Sequence, residues 1–473
     1  MMKTLLTMAW LLGCGLALAV ELPPFLSSAM VLQRDSVVPI WGRGRAGEAV
    51  SVQFAGQELK TTVGADGTWR VNLSPMPAAR DGRELLVKGD NDIRLDDVLV
   101  GDVWLCAGQS NMQWGLGGII GGKEIVAASA NPQLRLLPIP RVWSREPQRS
   151  VQAQWRHCEP ASSGGFTAVG YLVGRDIQAA VDVPIGLVNI SWGGCRVESM
   201  SSLESFRQIE SLSAVAEKVE ADVADMKGKA DEALRKDKQR LSTALYNAMV
   251  HPLGPYAVKG MLWYQGEDNH YEGAIYGEKL KALAYSWRRC FEQDAMPIYI
   301  VQIPPFVYGK EDPTRVPNFW RAQQRFAEDD PHAGFIVTTD CGEAEDIHPR
   351  EKRPLAKRLA DLVLYRSYGR GDDSVMSPTF RECVVDGSRV VVSFQRPNGL
   401  KTRDGQAVSH VEIAGADGVF HEAIAEIVNE QLVASSPAVP TPQRVRFGWH
   451  KIANPNLVNR AGVPVAPFDS DLK

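Results

Sequence analysis

Two textures of hydrophobic patterning alternate along this chain. Before residue 100, apolar and polar positions alternate in short runs at 50–54, 59–63, 69–73, 85–87 and 93–100, with Asp66-Gly67 placed to turn the chain. A period of two broken by Gly and Asp predicts half-buried strands, here a small β domain of sandwich type. From residue 101 the runs become continuously apolar, at 103–106, 185–190, 258–263, 298–303 and 335–339. Helix-like stretches such as 169–180 and 277–292 lie between them. Strands without alternation are buried on both faces, so this section predicts an α/β layer fold: a parallel sheet with helices on both faces. Residues 203–240 differ again: Leu212, Val215, Val219, Val223, Met226, Ala230 and Leu234 recur every three or four positions among Lys, Glu and Asp. That spacing predicts one or two amphipathic helices inserted in the α/β unit and packed along a single stripe; a wall or lid over a cleft is the alternative. After about 370 the alternating texture returns, at 389–394, 410–414, 432–434 and 445–449, with turns at Asp386-Gly387 and Asp417-Gly418.

Length and composition fit this division. A chain of 473 residues with 44% hydrophobic and 23% charged residues builds two or three ordinary globular domains, not a disordered or multi-span membrane protein. The expected boundaries are 20–100 for the first β domain, 101–370 for the α/β domain and 371–473 for the second β domain. The 52 basic and 56 acidic side chains leave a net charge of −4, so no strong positive field exists to collect a nucleic acid. At the N-terminus, Lys3 precedes an uncharged run over 4–18 that closes on Ala17-Leu18-Ala19, which predicts a signal peptide over 1–19 and export to the periplasm or the medium. The run is short for a membrane span. Leu11-Leu12-Gly13-Cys14 offers a second reading, lipidation at Cys14. Six further cysteines carry no CxxC pair or Cys/His spacing, so neither a zinc site nor any cofactor is expected; disulfides between them stay open.

In a parallel sheet the reacting groups belong just past the carboxyl ends of the strands. The first such end reads Ala107-Gly108-Gln109-Ser110-Asn111-Met112. A strand, a glycine turn, a serine and a helix start is a layout that exposes a nucleophile beside free backbone N–H groups, although serine is also an ordinary N-cap. The second end, Ser191-Trp192-Gly193-Gly194-Cys195-Arg196, has a Gly-Gly turn whose N–H can serve as an oxyanion donor. The third, Tyr264-Gln265-Gly266-Glu267-Asp268-Asn269, brings two amides and a carboxylate. The fourth carries Glu343-Ala344-Glu345-Asp346-Ile347-His348-Pro349. A carboxylate shortly before a histidine can orient the imidazole while the ring takes a serine proton.

Gly108-Gln109-Ser110-Asn111-Met112, Ser191-Trp192-Gly193-Gly194, Trp263-Tyr264-Gln265-Gly266-Glu267 and Asp346-Ile347-His348-Pro349, in this order, resemble the sialate O-acetylesterase family of SGNH hydrolases. Further matching stretches are Val31-Leu32-Gln33, Val169-Gly170-Tyr171 and Leu245-Tyr246-Asn247-Ala248-Met249. The resemblance implies a flavodoxin-like SGNH sheet flanked by β domains. It also implies a secreted serine esterase that removes O-acetyl groups from carbohydrate, most of all from sialic acid. It matches Ser110 to the nucleophile, His348 to the base, and Ser110, Gly194, Gln265 and Asn269 to the oxyanion hole. Asp346 is the expected partner of His348, with Glu345 or a backbone carbonyl as alternatives. Arg196 and Glu267 are expected at the substrate, the Arg196 guanidinium pairing with a sialate carboxylate, with a salt bridge or another structural role as the alternative for it. Activity is expected to rise with pH as His348 loses its proton near about 6.5, shifted by the neighbouring acid. Two other readings keep the same residues: an esterase of xylan or another glycan, and a glycan-binding protein without turnover.

Overall fold

A computed structural model of the chain describes residues 19–234 and 236–471. The expected signal segment and Cys14 lie, Ala19 apart, outside the described residues. Six strands form the central layer: β1 Asp92–Gly108, β2 Asn131–Pro138, β3 Ile185–Ser191, β4 Gly260–Tyr264, β5 Ile298–Val301 and β6 Ala333–Ile336. Their order in space is β2-β3-β1-β4-β5-β6, and each adjacent pair is parallel. Residues Arg156–Cys158 add antiparallel to the outer side of β2. Without β2, the other five parallel strands follow the flavodoxin-like order, in which the chain switches sides of the sheet at its first strand.

The sheet is buried on both faces because helices cover both. Trp104, Cys106, Leu262, Tyr264 and Tyr299 share a core with helices α2 Ala168–Val181 and α5 Arg353–Tyr368. Val103, Leu105, Ala107, Met261 and Trp263 face the other way, onto α3 Ile275–Cys290 and α4 Arg315–Asp329. The one-turn helix α1 Ser110–Gln113 follows β1. The fold class read from the apolar runs is the one observed.

The first β region is joined to this layer by an unbroken strand. The 17 residues of β1 pair antiparallel with Ala79–Lys88 and parallel with Val31–Gln33 in their first half, then become the middle of the parallel sheet. Val50, Val52, Leu85 and Val87 therefore share one continuous core with Leu105 and Met261. The C-terminal strands form two four-stranded antiparallel sheets around a core of their own that includes Val392, Phe394, Ile413, Leu432 and Phe447. The inserted segment folds into Leu203–Arg207 and Ser213–Lys227 followed by short turns; of the expected stripe Leu212, Val219, Met226 and Leu234 are buried, Val215 and Val223 are half-buried and Ala230 is exposed. Cys106, Cys158, Cys195 and Cys341 are buried, and no disulfide forms among the described residues. None of the described helices is long and apolar enough to cross a membrane.

Candidate active site

Backbone register assembles the site. Gly108, the last residue of β1, is paired with Ser191 on one side and Tyr264 on the other, so three strands end at the same level. The loops that follow, beginning at Gln109, Trp192 and Gln265, must then share one small volume. Gly108 has φ +143°, and a Cβ there would lie 2.1 Å from the Tyr264 carbonyl oxygen. Only glycine lets the two strands meet at this level. Gly108→Ala is expected to destabilise the fold by about 3 kcal/mol through overpacking and backbone strain, and to abolish hydrolysis with it. Urea unfolding of the variant tests this; an unchanged midpoint refutes it.

Ser110 is the first residue of α1, with Gln109 in the N-cap position. The capping role open to a serine here is therefore not the one it has. A helix of four residues carries little macrodipole, so any stabilisation of negative charge at Ser110 comes from individual N–H groups. The Ser110 Oγ lies 2.8 Å from Nε2 of His348, 238 residues further along the chain. Both side chains are half-buried. Trp114 stacks on the imidazole, ring centroids 5.1 Å apart at 26°, and fixes its plane. Asp346 is close, but its Oδ1 accepts from the His348 backbone N–H at 2.8 Å, not from the ring. Its carboxylate thus orders the loop and acts on the imidazole only through its charge. Burial, and after it the nearby Lys352 cation, push the His348 pKa below its ordinary value of 6.5; the Asp346 charge opposes them and loses. An upward shift from the neighbouring acid is thus reversed in direction.

The glycine turn is in contact with the serine: a Cβ on Gly193 would sit 3.3 Å from Ser110 Cβ. The Gly193 N–H is already given to Gln113 Oε1 at 2.6 Å. Gly194, at φ +72°, has its N–H unpaired among the described residues. Gln265 and Asn269 sit beneath the turn, fully buried. Gln265 Nε2 donates to Gln109 Oε1 at 3.0 Å, to the Cys195 carbonyl at 3.1 Å and to Asn269 Oδ1 at 2.8 Å. Asn269 Nδ2 donates to Glu198 Oε2 at 3.1 Å. These amides are spent on tying the three loops together, which their place in the sequence could not reveal. Nor does Glu267 reach a substrate: it is 5% exposed and holds Asn111 Nδ2 at 2.5 Å behind the serine. Arg196 is neutralised, its Nε donating to Asp268 Oδ2 at 2.7 Å while its guanidinium lies over the Tyr271 ring. Arg240, at the end of the inserted segment, donates to the same carboxylate and, at 3.4 Å, to the Gly194 carbonyl. The insertion therefore both packs along its stripe and reaches the rim of the site.

Three residues near Ser110 escape a reading of the sequence: Gln113, Asn111 and Lys352. The first could have been found, since Gln113 is one helical turn after Ser110. Lys352 could not, because a lysine in a charged run reads as surface, yet it is fully buried. A cleft of about 930 Å³ opens beside Gln113, also lined by Asn189, Ser191, Gln152, Arg141 and Arg156. No carboxylate lines it, and the Arg141 and Arg156 side chains form no ion pair among the described residues.

Known proteins resemble this chain in sequence and in fold. A family model described as "Carbohydrate esterase, sialic acid-specific acetylesterase" matches residues 100–364. The chain is 31% identical over 372 residues to the sialate O-acetylesterase of Homo sapiens, covering 71% of this chain and 68% of that protein. It is 29% identical over 416 residues to the sialate O-acetylesterase of Rattus norvegicus, covering 77% and 76%. Among solved structures, a carbohydrate acetylesterase from Xanthomonas citri superposes with a TM-score of 0.86 at 34% identity, over 96% of this chain and 100% of that one.

Proposed function

Because the chain belongs to the sialic acid-specific acetylesterase family of carbohydrate esterases, and is an esterase on that ground, we propose that it hydrolyses O-acetyl esters of acidic sugars through an acetyl-enzyme on Ser110. The observation that carries the proposal is the 2.8 Å contact between Ser110 Oγ and His348 Nε2, made by residues far apart in sequence. Neutral His348 takes the Oγ proton as Oγ attacks the acetyl carbonyl carbon. The oxyanion is met by the N–H groups of Ser110 and Gly194, which have no competing partner among the described residues. As the ester C–O bond breaks, His348 returns the proton to the departing sugar oxygen. Water, deprotonated by the same imidazole, then attacks the acetyl-serine, and acetate leaves with Ser110 restored. Acid quenching during turnover and mapping of the peptide that carries the acetyl group tests the route; acetyl found elsewhere, or nowhere during a burst, refutes it.

The acidic substrate is supported by the cleft next to Gln113. Amides suit sugar hydroxyls, and two guanidinium groups without an ion pair among the described residues, in a cleft lined by no carboxylate, suit a sugar acid. They are better placed for this than Arg196, whose charge Asp268 already answers. Arg141→Gln and Arg156→Gln are each expected to lower kcat/KM on O-acetylated sialate about tenfold and to leave a neutral acetylated sugar within about twofold. Equal losses on both substrates would refute the assignment, and higher turnover of acetylated xylan than of sialate would make the enzyme an esterase of neutral glycans. Membership of an esterase family leaves the glycan-binding reading without turnover unsupported. Export to the periplasm or the medium rests on the apolar run over 4–18, and cell fractionation tests it.

A further inference from the structure

Behind Ser110 and His348 lies a buried polar cluster that the hydrolytic steps do not use. Asn111 is 1% exposed, Glu267 5% and Lys352 0%, so each had to be taken out of water. Lys352 Nζ donates to Asn111 Oδ1 at 2.6 Å. Asn111 Nδ2 donates to Glu267 Oε1 at 2.5 Å and to the Ile347 carbonyl at 3.0 Å. One amide therefore touches the loops after β1, β4 and β6, and its last contact is the peptide that leads into His348. The donors and acceptors allow only one arrangement. An ammonium only donates, while a carboxylate and a carbonyl only accept, so Oδ1 must face Lys352 and Nδ2 must face the other two. A flipped amide would break all three bonds in the protein interior, each costly to leave unmade.

We propose that Asn111 is a positioning residue for the esterase reaction: clamped between Lys352 and Glu267, it fastens the loop that carries His348 to the turn that carries Ser110. The inference rests on the catalytic reading of Ser110 and His348 given above. Electrostatics agree with it. Lys352, pushed down to about 8 chiefly by burial, still carries its proton at neutral pH, and its charge holds His348 below its usual range. The ionisable groups acting on Lys352 are Glu267, Cys341, Asp346 and Glu343, with the Tyr264 ring 5.7 Å away; those acting on His348 are Lys352 and Asp346. Among the described residues Glu267 Oε2 is buried without a partner, which leaves Asn111 as the hydrogen-bonded side chain on that carboxyl group.

The test measures kcat and KM separately, with the pH profile, on the full chain. Asn111→Ala is expected to lower kcat about 100-fold while KM moves less than about threefold, because ground-state binding does not involve it. Asn111→Asp is expected to fall further, since a second carboxylate then faces Glu267, and the double variant Asn111→Asp with Glu267→Gln is expected to regain at least about tenfold over the single one. Lys352→Met is expected to move the acid limb of kcat/KM to higher pH, since the imidazole no longer feels the cation. An Asn111→Ala enzyme with kcat within about twofold of the parent, or a loss carried by KM alone, would overturn the proposal. If Asn111→Ala fails to fold, Lys352→Met decides: an acid limb that stays in place overturns it. Ser110→Ala, run alongside, separates the two levels: an active Ser110→Ala enzyme removes the catalytic reading, whereas an inactive one beside a fully active Asn111→Ala removes this inference alone.

Discussion

Ser110→Ala is expected to lower kcat/KM for acetate release by about 10⁴-fold or more, with the fold intact. The side chain is half-buried and, among the described residues, bonds to His348, so the variant opens no core cavity and melting should hardly move. The hydroxyl on the adjoining strand end, Ser191 Oγ, is 2.5 Å from Asn189 Oδ1 and is held there. Residual activity would come from water activated by His348 at the remaining N–H donors, and it would form no acetyl-enzyme. Initial rates on a chromogenic acetyl ester, together with the melting temperature, make the measurement. A folded Ser110→Ala protein that turns over at the parent rate would end the serine-esterase proposal.

His348→Gln is expected to cost about 10³- to 10⁴-fold, and the parent enzyme should show the acid limb that identifies the base. The sign follows from the environment. Burial and the Lys352 cation disfavour the charged imidazole, so the ring stays neutral to lower pH than a free histidine, against the pull of Asp346. Neutral imidazole is the active form. kcat/KM should therefore be flat around pH 7 and above, then fall about tenfold per pH unit once the pH passes below a midpoint lower than about 6.5. Asp346→Asn removes the one opposing charge and should carry that midpoint lower still. A midpoint above 6.5 in the parent would mean that a carboxylate governs the ring, contrary to the geometry in which Asp346 accepts from the main chain.

How much of this was legible in the chain differs by level. Continuous apolar runs report burial on both faces wherever the strand lies, so the parallel sheet was readable, and four motifs at its strand ends marked the site. Ser110 and His348 could be named as candidates because a serine after a glycine turn and a histidine among acids can each serve hydrolysis, and packing brings their side chains to 2.8 Å. The roles of the amides were not. Gln265 and Asn269 look like oxyanion donors from their place after β4, but whether an amide faces a cleft or a neighbouring loop depends on residues far away in sequence, here Gln109, Cys195 and Glu198.

Periodicity also hid the continuity of β1. A shift from alternating to continuous apolar residues reads as a domain boundary, whereas one strand passes from a half-covered sheet into a fully covered one. The same blindness applied to Lys352, whose charge reads as surface, and to Glu267, whose place at a strand end reads as facing a substrate; both are buried.

The sequence by itself determined which segments become strands and helices and which residue types end them, because periodicity and turn chemistry are local properties of the chain. Only the tertiary structure decided that Gly108, Ser191 and Tyr264 end level, that Asn111 is gripped between a buried lysine and a buried carboxyl group, and that His348 is pushed towards its neutral form. Those outcomes depend on distance, desolvation and the sharing of hydrogen bonds between loops, which take their values only when the chain has packed.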